Sequence, residues 1–476
     1  MIMRYATAIQ MLDDLAHRRI SALELLDLHV ARQRAHHGKL NAVIMEDLDA
    51  ARQAAGALDD ARVRGAELGP LAGLPMTIKD GFDVNGMPAT AGSPDFANRP
   101  RSCADAELVA RLRKAGAVIW GKTNVPLMLG DFQSYNTLFG TTNNPFDFSR
   151  TSGGSSGGAA AALAADITPL ELGSDIGGSL RHPANFCGVC ALKPSWRSLP
   201  LKGHIPPAPG TNQEVDLNVA GPMARNVKDL KLMWDVLRER PFTEPRAATQ
   251  GRIAVWSAQP GWPLAQCVKE AVEQTAQRLS AVGFAVDNVF PDFNAEALLE
   301  TYLDLLIATI AASFPAHLRE AMGARRQDDI RLVTEGRDET GEARYRLRAS
   351  APQDLIAAAR HKRDSYKRSL NGFFRQGYDA ILAPITPVPA FFHDHSMPLN
   401  ARRFPVDGIE APYMSALNWI AVPTALHAPA LVVPAARHAG LPIGVQLIGP
   451  EHGEARLFEV ALAAEQAIGP FPPPLL

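Results

Sequence analysis

The sequence has few cysteines, no excess of charge of either sign and no long hydrophobic run, and each absence excludes a class of protein. Four cysteines in 476 residues are too few for a disulfide scaffold, and they favour reduced thiols. Because 48 Lys and Arg residues face 50 Asp and Glu residues, the positive excess of a dedicated nucleic-acid binder is missing. No apolar run approaches the roughly 20 residues that span a bilayer, and no secretory signal is visible. We therefore expect a cytoplasmic protein whose partner is a small molecule and neither a nucleic acid nor a membrane.

The composition that is present indicates a folded chain. Hydrophobic residues make up 46% and charged residues 21% of the sequence, close to the average of soluble globular proteins. Disordered, collagen-like and coiled-coil classes are therefore excluded. Residues 1–65 predict helices, and Ser21 followed three residues later by Glu24 is a helix-start signal.

Beyond residue 69, the sequence pattern changes from mainly helical to an alternation of strands and helices. Apolar, strand-like runs such as Leu74–Ile78 alternate there with helical stretches, which is typical of an α/β sheet. Residues 295–375 read as mainly helical, and we interpret their charge clusters as solvated faces. Residues 384–405 are rich in Pro and His, and we expect a long ordered loop.

Two turns rich in glycine and serine, at residues 152–158 and 173–181, flank one α–β unit. Glycine tolerates positive φ, so a backbone can curl until successive N–H groups point into one cavity and form an oxyanion hole. Ser179 follows the second curl directly, which makes its hydroxyl a candidate nucleophile. The amides that would hold the oxygen of the attacked carbonyl are those of Ile176, Gly177, Gly178 and Ser179.

Three other interpretations of these turns have to be considered. A Gly/Ser-rich segment on its own is often a linker or a plain turn. A phosphate-binding loop is disfavoured because no Gly-Lys-Ser/Thr follows. Gly153–Gly157 matches the G-x-S-x-G nucleophile elbow, but that elbow follows an apolar strand, whereas Phe148–Thr151 is polar.

A serine nucleophile needs a base, and the sequence offers two candidates. His182 lies three residues after Ser179, although nearness in sequence does not make a histidine part of a triad. Lys79 ends the apolar run that begins at Leu74, so it lies where a strand reaches a loop. Burial would lower the pKa of this lysine, and a neutral amine is a competent general base.

Several spaced motifs together resemble the amidase signature family. They are Gly73–Asp80, Gly121–Pro126, Phe139–Pro145, 153–194 and Gly440–Gly449, and they occur in the family's order. The resemblance is dense over residues 69–200 and looser in the C-terminal strands. It implies an α/β fold with a large mixed β-sheet sandwiched between helices. The implied organisation is one domain over 1–476, with N-terminal helices in 1–65, the signature core in 69–200 and a helical segment, 295–375, over part of the substrate entrance.

The same resemblance implies the chemistry of amide hydrolysis through an acyl-enzyme, without metal or organic cofactor. By motif, Ser179 resembles the nucleophile, Ser155 the bridging serine after a cis peptide bond, and Lys79 the base. The supporting hydrogen-bond shell would comprise Ser156, Ser174, Asp175 and Arg181. Small departures from the family pattern, at Ala159, Ser174 and Ala191, leave the subfamily open.

The substrate is less defined by the sequence. Position relative to the motifs suggests a pocket wall formed by Leu129, Gly130, Asp131, Phe132, Asn418, Trp419 and Ile420. Their mixed polarity leaves aryl, alkyl and fatty amides, urethanes and esters open. One alternative is a glutaminase-type subunit of an amidotransferase complex, which would need protein partners and tRNA. Others are a hydrolase acting mainly on esters or carbamates and a non-catalytic member of the family, and a homodimer is possible in each case.

Two motifs raise the question of a metal. Cys187-x-x-Cys190 has the spacing of half a zinc site, but no second cysteine pair exists. His393-Asp394-His395 lies in the Pro-rich loop, where adjacent ligand types alone do not give converging geometry. We therefore expect structural cysteines and no metal.

Overall fold

A mixed β-sheet is the largest element of the computed structural model, which describes residues 4–206 and 214–476. In chain order the strands are β1 (Val43–Glu46), β2 (Pro75–Lys79), β3 (Val118–Thr123), β4 (Tyr135–Asn136), β5 (Gly140–Thr141), β6 (Asn143–Asn144), β7 (Asp147–Thr151), β8 (Leu170–Asp175), β9 (Cys190–Lys193), β10 (Val219–Ala224), β11 (Gly251–Val255), β12 (Phe284–Asp287), β13 (Ala380–Ala383), β14 (Arg403–Val406), β15 (Ile409–Pro412), β16 (Ala430–His438) and β17 (Leu441–Ile448).

Helices pack around this sheet. They are α1 (Ala8–Ala16), α2 (Ala22–Leu40), α3 (Leu48–Val63), α4 (Pro94–Ala97), α5 (Glu107–Lys114), α6 (Gly157–Ala164), α7 (Arg181–Cys187), α8 (Val227–Leu237), α9 (Gln266–Ala281), α10 (Ala295–Ala311), α11 (Ala316–Ala324), α12 (Arg326–Thr334), α13 (Glu342–Ala349), α14 (Gln353–Phe374), α15 (Asn418–Ala425) and α16 (Glu454–Ile468), with short 3₁₀ helices at Leu127–Leu129, Leu399–Ala401 and Tyr413–Leu417. None of the helices in the two described ranges has the length and apolar character of a membrane span.

Eleven strands form the main sheet, in the order β1-β3-β2-β8-β10-β9-β16-β17-β13-β11-β12. Strand β2 is parallel to both β3 and β8, whereas β10 is antiparallel to β8 and β9. The predicted α/β class with a mixed sheet is therefore confirmed. Every residue of β2, β3 and β8 is buried, so the apolar residues of these strands do not alternate with exposed polar ones.

Helix α6 lies directly against the strands that matter for the site. All of its residues are buried, and it contacts β8, β10 and β2. Its glycines and alanines permit this close approach, since a Cβ added at Gly158 would lie 2.4 Å from the backbone nitrogen of Asn124. The turn before α6 is thereby pressed against the ends of the central strands.

The N-terminal helices begin where the sequence predicts. The Ser21 hydroxyl accepts a hydrogen bond from the Glu24 amide at 3.1 Å, and the Glu24 carboxylate accepts one from the Ser21 amide at 2.9 Å. This reciprocal capping box satisfies two backbone donors that the first turn of α2 would otherwise leave unpaired.

The segment 295–375 is helical as predicted, but its charge clusters are not simply solvated. Arg346 on α13 forms an ion pair with the buried carboxylate of Asp329 on α12 at 2.6 Å. Arg348 pairs with Asp304 of α10 at 2.9 Å and with Glu300 of the same helix. These arginines join neighbouring helices of the segment, which corrects the interpretation of the cluster as a solvated face.

The predicted loop 384–405 ends earlier than expected, because Arg403–Val406 form a strand paired with Ile409–Pro412. Pro405 has no N–H to donate, and a two-stranded ladder tolerates this because one side of each strand needs no partner. The sequence signal of proline therefore hid a short hairpin.

Candidate active site

The carboxyl ends of β2 and β8 bring Lys79 and the second glycine turn together. The two strands are parallel and neighbouring, with Thr77 opposite Glu171 and Ile78 opposite Leu172. Parallel neighbours end at the same edge of a sheet, so Lys79, the last residue of β2, lies beside Ser174 and Asp175, the last residues of β8. The predicted base and the predicted supporting shell therefore meet at one edge.

Lys79 is fully buried and lies within hydrogen-bond distance of two serines. Its Nζ donates to Ser155 Oγ at 2.8 Å, to Ser174 Oγ at 3.0 Å and to the Ser174 carbonyl at 3.3 Å. Burial lowers the pKa of Lys79 to about 7, although the negative charges of Asp175 and Glu171 act in the opposite direction. A substantial fraction of this amine is therefore neutral at neutral pH.

The nearby carboxyl groups do not form an ion pair with Lys79. Asp80, its neighbour in sequence, pairs with Lys122 at 2.5 Å. Glu171 is buried and accepts a hydrogen bond from the Thr77 hydroxyl. Burial raises the pKa of Glu171 to about 8, so this carboxyl is mostly protonated at neutral pH. Sequence reasoning missed Glu171, although a glutamate inside the apolar run of β8 is an unusual residue that could have indicated it.

Ser155 follows a cis peptide bond from Gly154, as the resemblance implied. A Cβ added at Gly154 would lie 2.4 Å from the Asp131 carbonyl oxygen, so this position requires glycine. Gly153 has φ of +87° and is equally restricted to glycine. The first glycine turn thus holds Ser155 between the 131–133 segment and Lys79.

Ser179 shares a cavity wall with Ser155 but not a hydrogen bond. Both residues line the same cavity, and the Ser156 amide donates to the Ser179 carbonyl at 3.1 Å, which joins the two turns. Within residues 4–206 and 214–476, the Ser179 hydroxyl donates to no protein acceptor. The Ser156 hydroxyl is buried and also lacks a described partner. The hydrogen bond expected between the hydroxyls of Ser179 and Ser155 is therefore not formed in this structure.

The predicted oxyanion amides are not equivalent. The Gly178 amide donates to the Asp175 carboxylate at 2.9 Å, which removes it from the expected set of four donors. In the described part of the chain, the amides of Ile176, Gly177 and Ser179 have no protein acceptor. The Tyr302 hydroxyl donates to the Ile176 carbonyl at 2.9 Å and so fixes the turn from the helix above it.

Asp175 and Arg181 form a buried ion pair under this turn. Arg181 donates to both carboxylate oxygens, at 2.9 and 3.0 Å, and also to the Thr424 hydroxyl at 2.7 Å. Burial alone would raise the pKa of Asp175, but the Arg181 guanidinium holds it well below its usual range. The pair therefore stays charged and serves to hold the turn, through the amides of Gly178 and Leu180 that donate to Asp175.

His182, the second candidate base, lies away from the cavity wall. Its ring packs under the turn, where a Cβ added at Gly178 would lie 2.4 Å from its Nε2, and its edge meets Phe132. Burial, and secondarily the charge of Arg181, lowers the pKa of His182 to about 3. Both features assign His182 a packing position and leave Lys79 as the base that the geometry supports.

The serines open into a cavity of about 440 Å³. The wall that α10 and α14 form carries aliphatic residues such as Leu305, Ile310 and Ile356 together with polar ones such as Gln353 and Arg360. The described lining residues include Met128, Leu129, Gly130, Ser155, Ser174, Ile176, Ser179, His204, Val215, Asp216, Asn218, Leu305, Ile310, Gln353, Ile356 and Arg360.

Only part of the predicted pocket wall is in place. Leu129 and Gly130 line the cavity, but the other five predicted residues lie elsewhere, which corrects that expectation. Asp131 pairs with Arg402 at 2.7 Å. Phe132 packs against His182 and Tyr413, Trp419 lies in a cluster with Trp256 and Trp262, the Ile420 carbonyl accepts from Arg181, and Asn418 begins α15.

Sequence reasoning missed His204 and Asn218 on the wall. His204 Nδ1 lies 3.0 Å from the Pro206 carbonyl. Burial, together with the nearby Lys79 charge, lowers the pKa of His204 to about 3, so the ring is neutral. Neither residue belongs to a motif that stands out in one sequence, and only the fold brings them to the serines.

The candidate metal motifs form no ligand cluster. Across the described ranges, no three His, Cys, Asp or Glu side chains converge as a metal site. Cys187 and Cys190 are free and buried, and burial raises the pKa of both thiols, which disfavours the metal-binding thiolate. His395 stacks on Tyr135 with ring centroids 3.7 Å apart.

Comparison with known proteins agrees with the motifs. The Amidase family model matches residues 24–458. Indoleacetamide hydrolase of Bradyrhizobium diazoefficiens is 32% identical, over 94% of this chain and 84% of that protein. A glutamyl-tRNA(Gln) amidotransferase subunit of Salinispora tropica is 31% identical, over 96% of each chain. The crystal structure of an amidase gives a TM-score of 0.79 at 27% identity, covering 98% of this chain and 100% of that one. The chain therefore belongs to the amidase signature family and is a hydrolase of amide carbon–nitrogen bonds.

Proposed function

We propose that this chain hydrolyses a small carboxylic amide through an acyl-enzyme on Ser179. The Ser179 oxygen attacks the amide carbonyl, while its proton passes to Ser155 and the Ser155 proton passes to neutral Lys79. The same relay returns a proton to the departing nitrogen when the carbon–nitrogen bond breaks. Water then attacks the ester on Ser179, releases the acid and restores the serine.

The single observation behind this proposal is the 2.8 Å hydrogen bond between buried Lys79 and Ser155 on the wall that also holds Ser179. A lysine with its ordinary pKa is deprotonated in fewer than about one molecule in a thousand at neutral pH. With a pKa of about 7, Lys79 is neutral in roughly half of the molecules at that pH, so it can serve as a base.

The missing contact between Ser155 and Ser179 is compatible with this relay. Catalytic hydrogen bonds are often long or misaligned without substrate and tighten in the complex. Because the Ser179 hydroxyl has no described acceptor, its rotation towards Ser155 breaks no described protein hydrogen bond. In the proposal, the free amides of Ile176, Gly177 and Ser179 hold the carbonyl oxygen as it becomes negative.

The wall of the cavity supports an apolar substituent on the substrate. Leu305, Ile310 and Ile356 line it from α10 and α14, and its volume of about 440 Å³ is in the range of small-molecule sites. We therefore favour aryl or alkyl amides. Esters and carbamates with the same substituents fit the same wall, and their acyl transfer needs no group beyond those already named.

A glutaminase-type subunit remains the second candidate, because a relative of 31% identity is named as an amidotransferase subunit. Glutamine carries a charged ammonium and a carboxylate, and the same wall includes the charged residues Glu214 and Arg360, so activity on glutamine has to be measured directly. Release of glutamate from glutamine by the isolated chain, or its recovery with other subunits from cells, would favour the second candidate. The same preparation shows whether it is a homodimer, and cell fractionation tests the proposed cytoplasmic location.

The decisive experiment is a panel of amides, esters and carbamates, with mass spectrometry of the quenched enzyme and hydroxylamine as a competing nucleophile. We expect an acyl adduct on the peptide that contains Ser179, and hydroxamate beside the acid product. Acid alone, with no adduct and no hydroxamate from several hydrolysed substrates, would contradict the covalent route.

A further inference from the structure

Asn218 lies in the wall of the catalytic cavity. The residue is 6% exposed, and it lines the same cavity as Ser155 and Ser179. In the described part of the chain, the Nδ2 of Asn218 donates to no acceptor. Its backbone amide donates to the Val215 carbonyl at 3.3 Å. A carboxamide in a cavity wall that has no acceptor among the described residues is available to an acceptor on a bound ligand.

The turn that precedes Asn218 is firmly held. Asp216 accepts from Arg363 at 2.7 Å and from His427 at 2.8 Å, and its carboxylate also accepts from the Leu217 amide at 2.9 Å. Leu217 has φ of +69°, a conformation that a leucine adopts only when its surroundings fix it. The backbone of Asn218 is therefore fixed before any substrate binds, as a recognition group requires.

Sheet register places Asn218 beside the proposed oxyanion amides. Val219, the first residue of β10, is opposite Asp175, the last residue of β8. Asn218 and Ile176 are the next residues beyond this pair, where the ladder ends. Both of them line the cavity. A substrate whose carbonyl oxygen meets the Ile176 amide therefore brings its neighbouring atoms towards Asn218.

We propose that the Asn218 carboxamide binds a hydrogen-bond acceptor on the substrate, close to the scissile amide, and so selects amides that have such an acceptor. This assignment rests on the proposed function of the same cavity. The occupant is then an amide whose apolar substituent includes an uncharged acceptor, such as a ring nitrogen, an ether or a second carbonyl. A purely hydrocarbon amide fits the aliphatic wall but leaves the carboxamide unpaired, which lowers its affinity.

Binding to the Ser179→Ala protein tests the assignment without chemistry. The probes are phenylacetamide and the three pyridylacetamides, which share one shape and move a single acceptor around the ring, at mildly alkaline pH where the pyridines are neutral. We expect at least one pyridylacetamide to bind about 10-fold more tightly than phenylacetamide. The Ser179→Ala/Asn218→Ala double variant should lose this preference, with phenylacetamide affinity changed less than about threefold.

Two further variants control for loss of folding and for the change of residue type. Asn218→Asp keeps the size of the side chain but removes its donors, so it should lose the preference as Asn218→Ala does. Asn98→Ala makes the same chemical change at an exposed position after α4 and should retain the preference. Equal binding of all four amides, or a preference that persists without Asn218, would overturn the assignment. The proposed function would still stand if the parent enzyme forms an acyl adduct on Ser179.

Discussion

At Lys79, the pH dependence of the reaction should report a single buried amine. Because burial lowers its pKa to about 7, kcat/KM should rise as the pH passes through about 7 and level off above it. Lys79→Arg should lose the rate by at least about 100-fold, since a guanidinium stays protonated and cannot accept the Ser155 proton. An arginine variant that keeps nearly the full rate would show that position 79 supplies only positive charge.

Removal of the Ser179 hydroxyl should abolish turnover and leave the fold intact. Ser179→Ala deletes one oxygen that has no described protein acceptor, so the melting temperature should change little. Loss of a nucleophile typically lowers kcat by several orders of magnitude. Ser280→Ala, on the exposed surface of α9, is the matched control and should keep full activity. More than about a tenth of the normal kcat in pure Ser179→Ala would refute the role of Ser179.

The motifs of the sequence predicted the catalytic groups of the site better than they predicted the residues that line its cavity. Lys79, Ser155 and Ser174 meet because the sequence places them at strand ends and in glycine turns, and both features are visible in one chain. The hydrogen bond from the Gly178 amide to the Asp175 carboxylate could not be predicted from the sequence, because a glycine indicates that a backbone can curl but not which of its amides remain free. The wall depends on side-chain direction, so the neighbours in sequence of a correct residue, such as Asp131, point elsewhere.

At the scale of elements, the first glycine turn depends on a close approach between two backbones. A Cβ at Gly154 would meet three backbone atoms of residues 131–133, the nearest at 2.4 Å, and backbone cannot move aside as a flexible side chain can. Gly154→Ala should therefore displace Ser155 from Lys79, lowering both kcat and the melting temperature.

Gly38→Ala is the control for that prediction. Gly38 lies inside helix α2, and an added Cβ there meets nothing within 4 Å. Alanine is the better helix former by about 1 kcal/mol, so Gly38→Ala should keep activity and hold or raise the melting temperature. If Gly154→Ala behaves like Gly38→Ala, the turn does not position Ser155 in the way described.

The main strands and helices could be predicted from the hydrophobic pattern of the sequence, but the places where some of them end depend on tertiary contacts. The buried strands β2, β3 and β8 were visible as apolar runs, and the helices of 295–375 as long periodic stretches. The hairpin at residues 403–412 was hidden by Pro405, and the pairs that Arg346 and Arg348 make with other helices could not be read from charge clusters. Long-range pairing of charges is decided by which helices the fold makes neighbours.

At the scale of the whole molecule, an ion pair joins helix α14 of the helical segment to the turn before strand β10 of the sheet. Arg363 on α14 pairs with Asp216 before β10 at 2.7 Å, and both side chains are largely buried. Burial alone would raise the pKa of Asp216, but His427 and Arg363 hold it well below its usual range, so the pair is charged at neutral pH. This contact fixes the upper wall of the cavity relative to its serines.

Arg363→Met should therefore destabilise the protein by about 2–4 kcal/mol, since it leaves a largely buried carboxylate with one charged partner fewer. The exposed pair of Arg331 with Asp328 has the same chemistry at the surface, and Arg331→Met should change stability by less than about 1 kcal/mol. Denaturant melts compare the two arginine variants, and the coupling between Arg363 and Asp216 follows from Arg363→Met, Asp216→Asn and their double variant measured beside the unmodified protein. Because the pKa of Asp216 is depressed in the folded protein, the ion pair stabilises the fold at neutral pH, and this stabilisation disappears in acid, below the ordinary aspartate pKa. The difference in free energy of unfolding between the unmodified protein and Arg363→Met should therefore become smaller in acid. A difference that is constant with pH would show that Arg363 acts through packing and not through its charge.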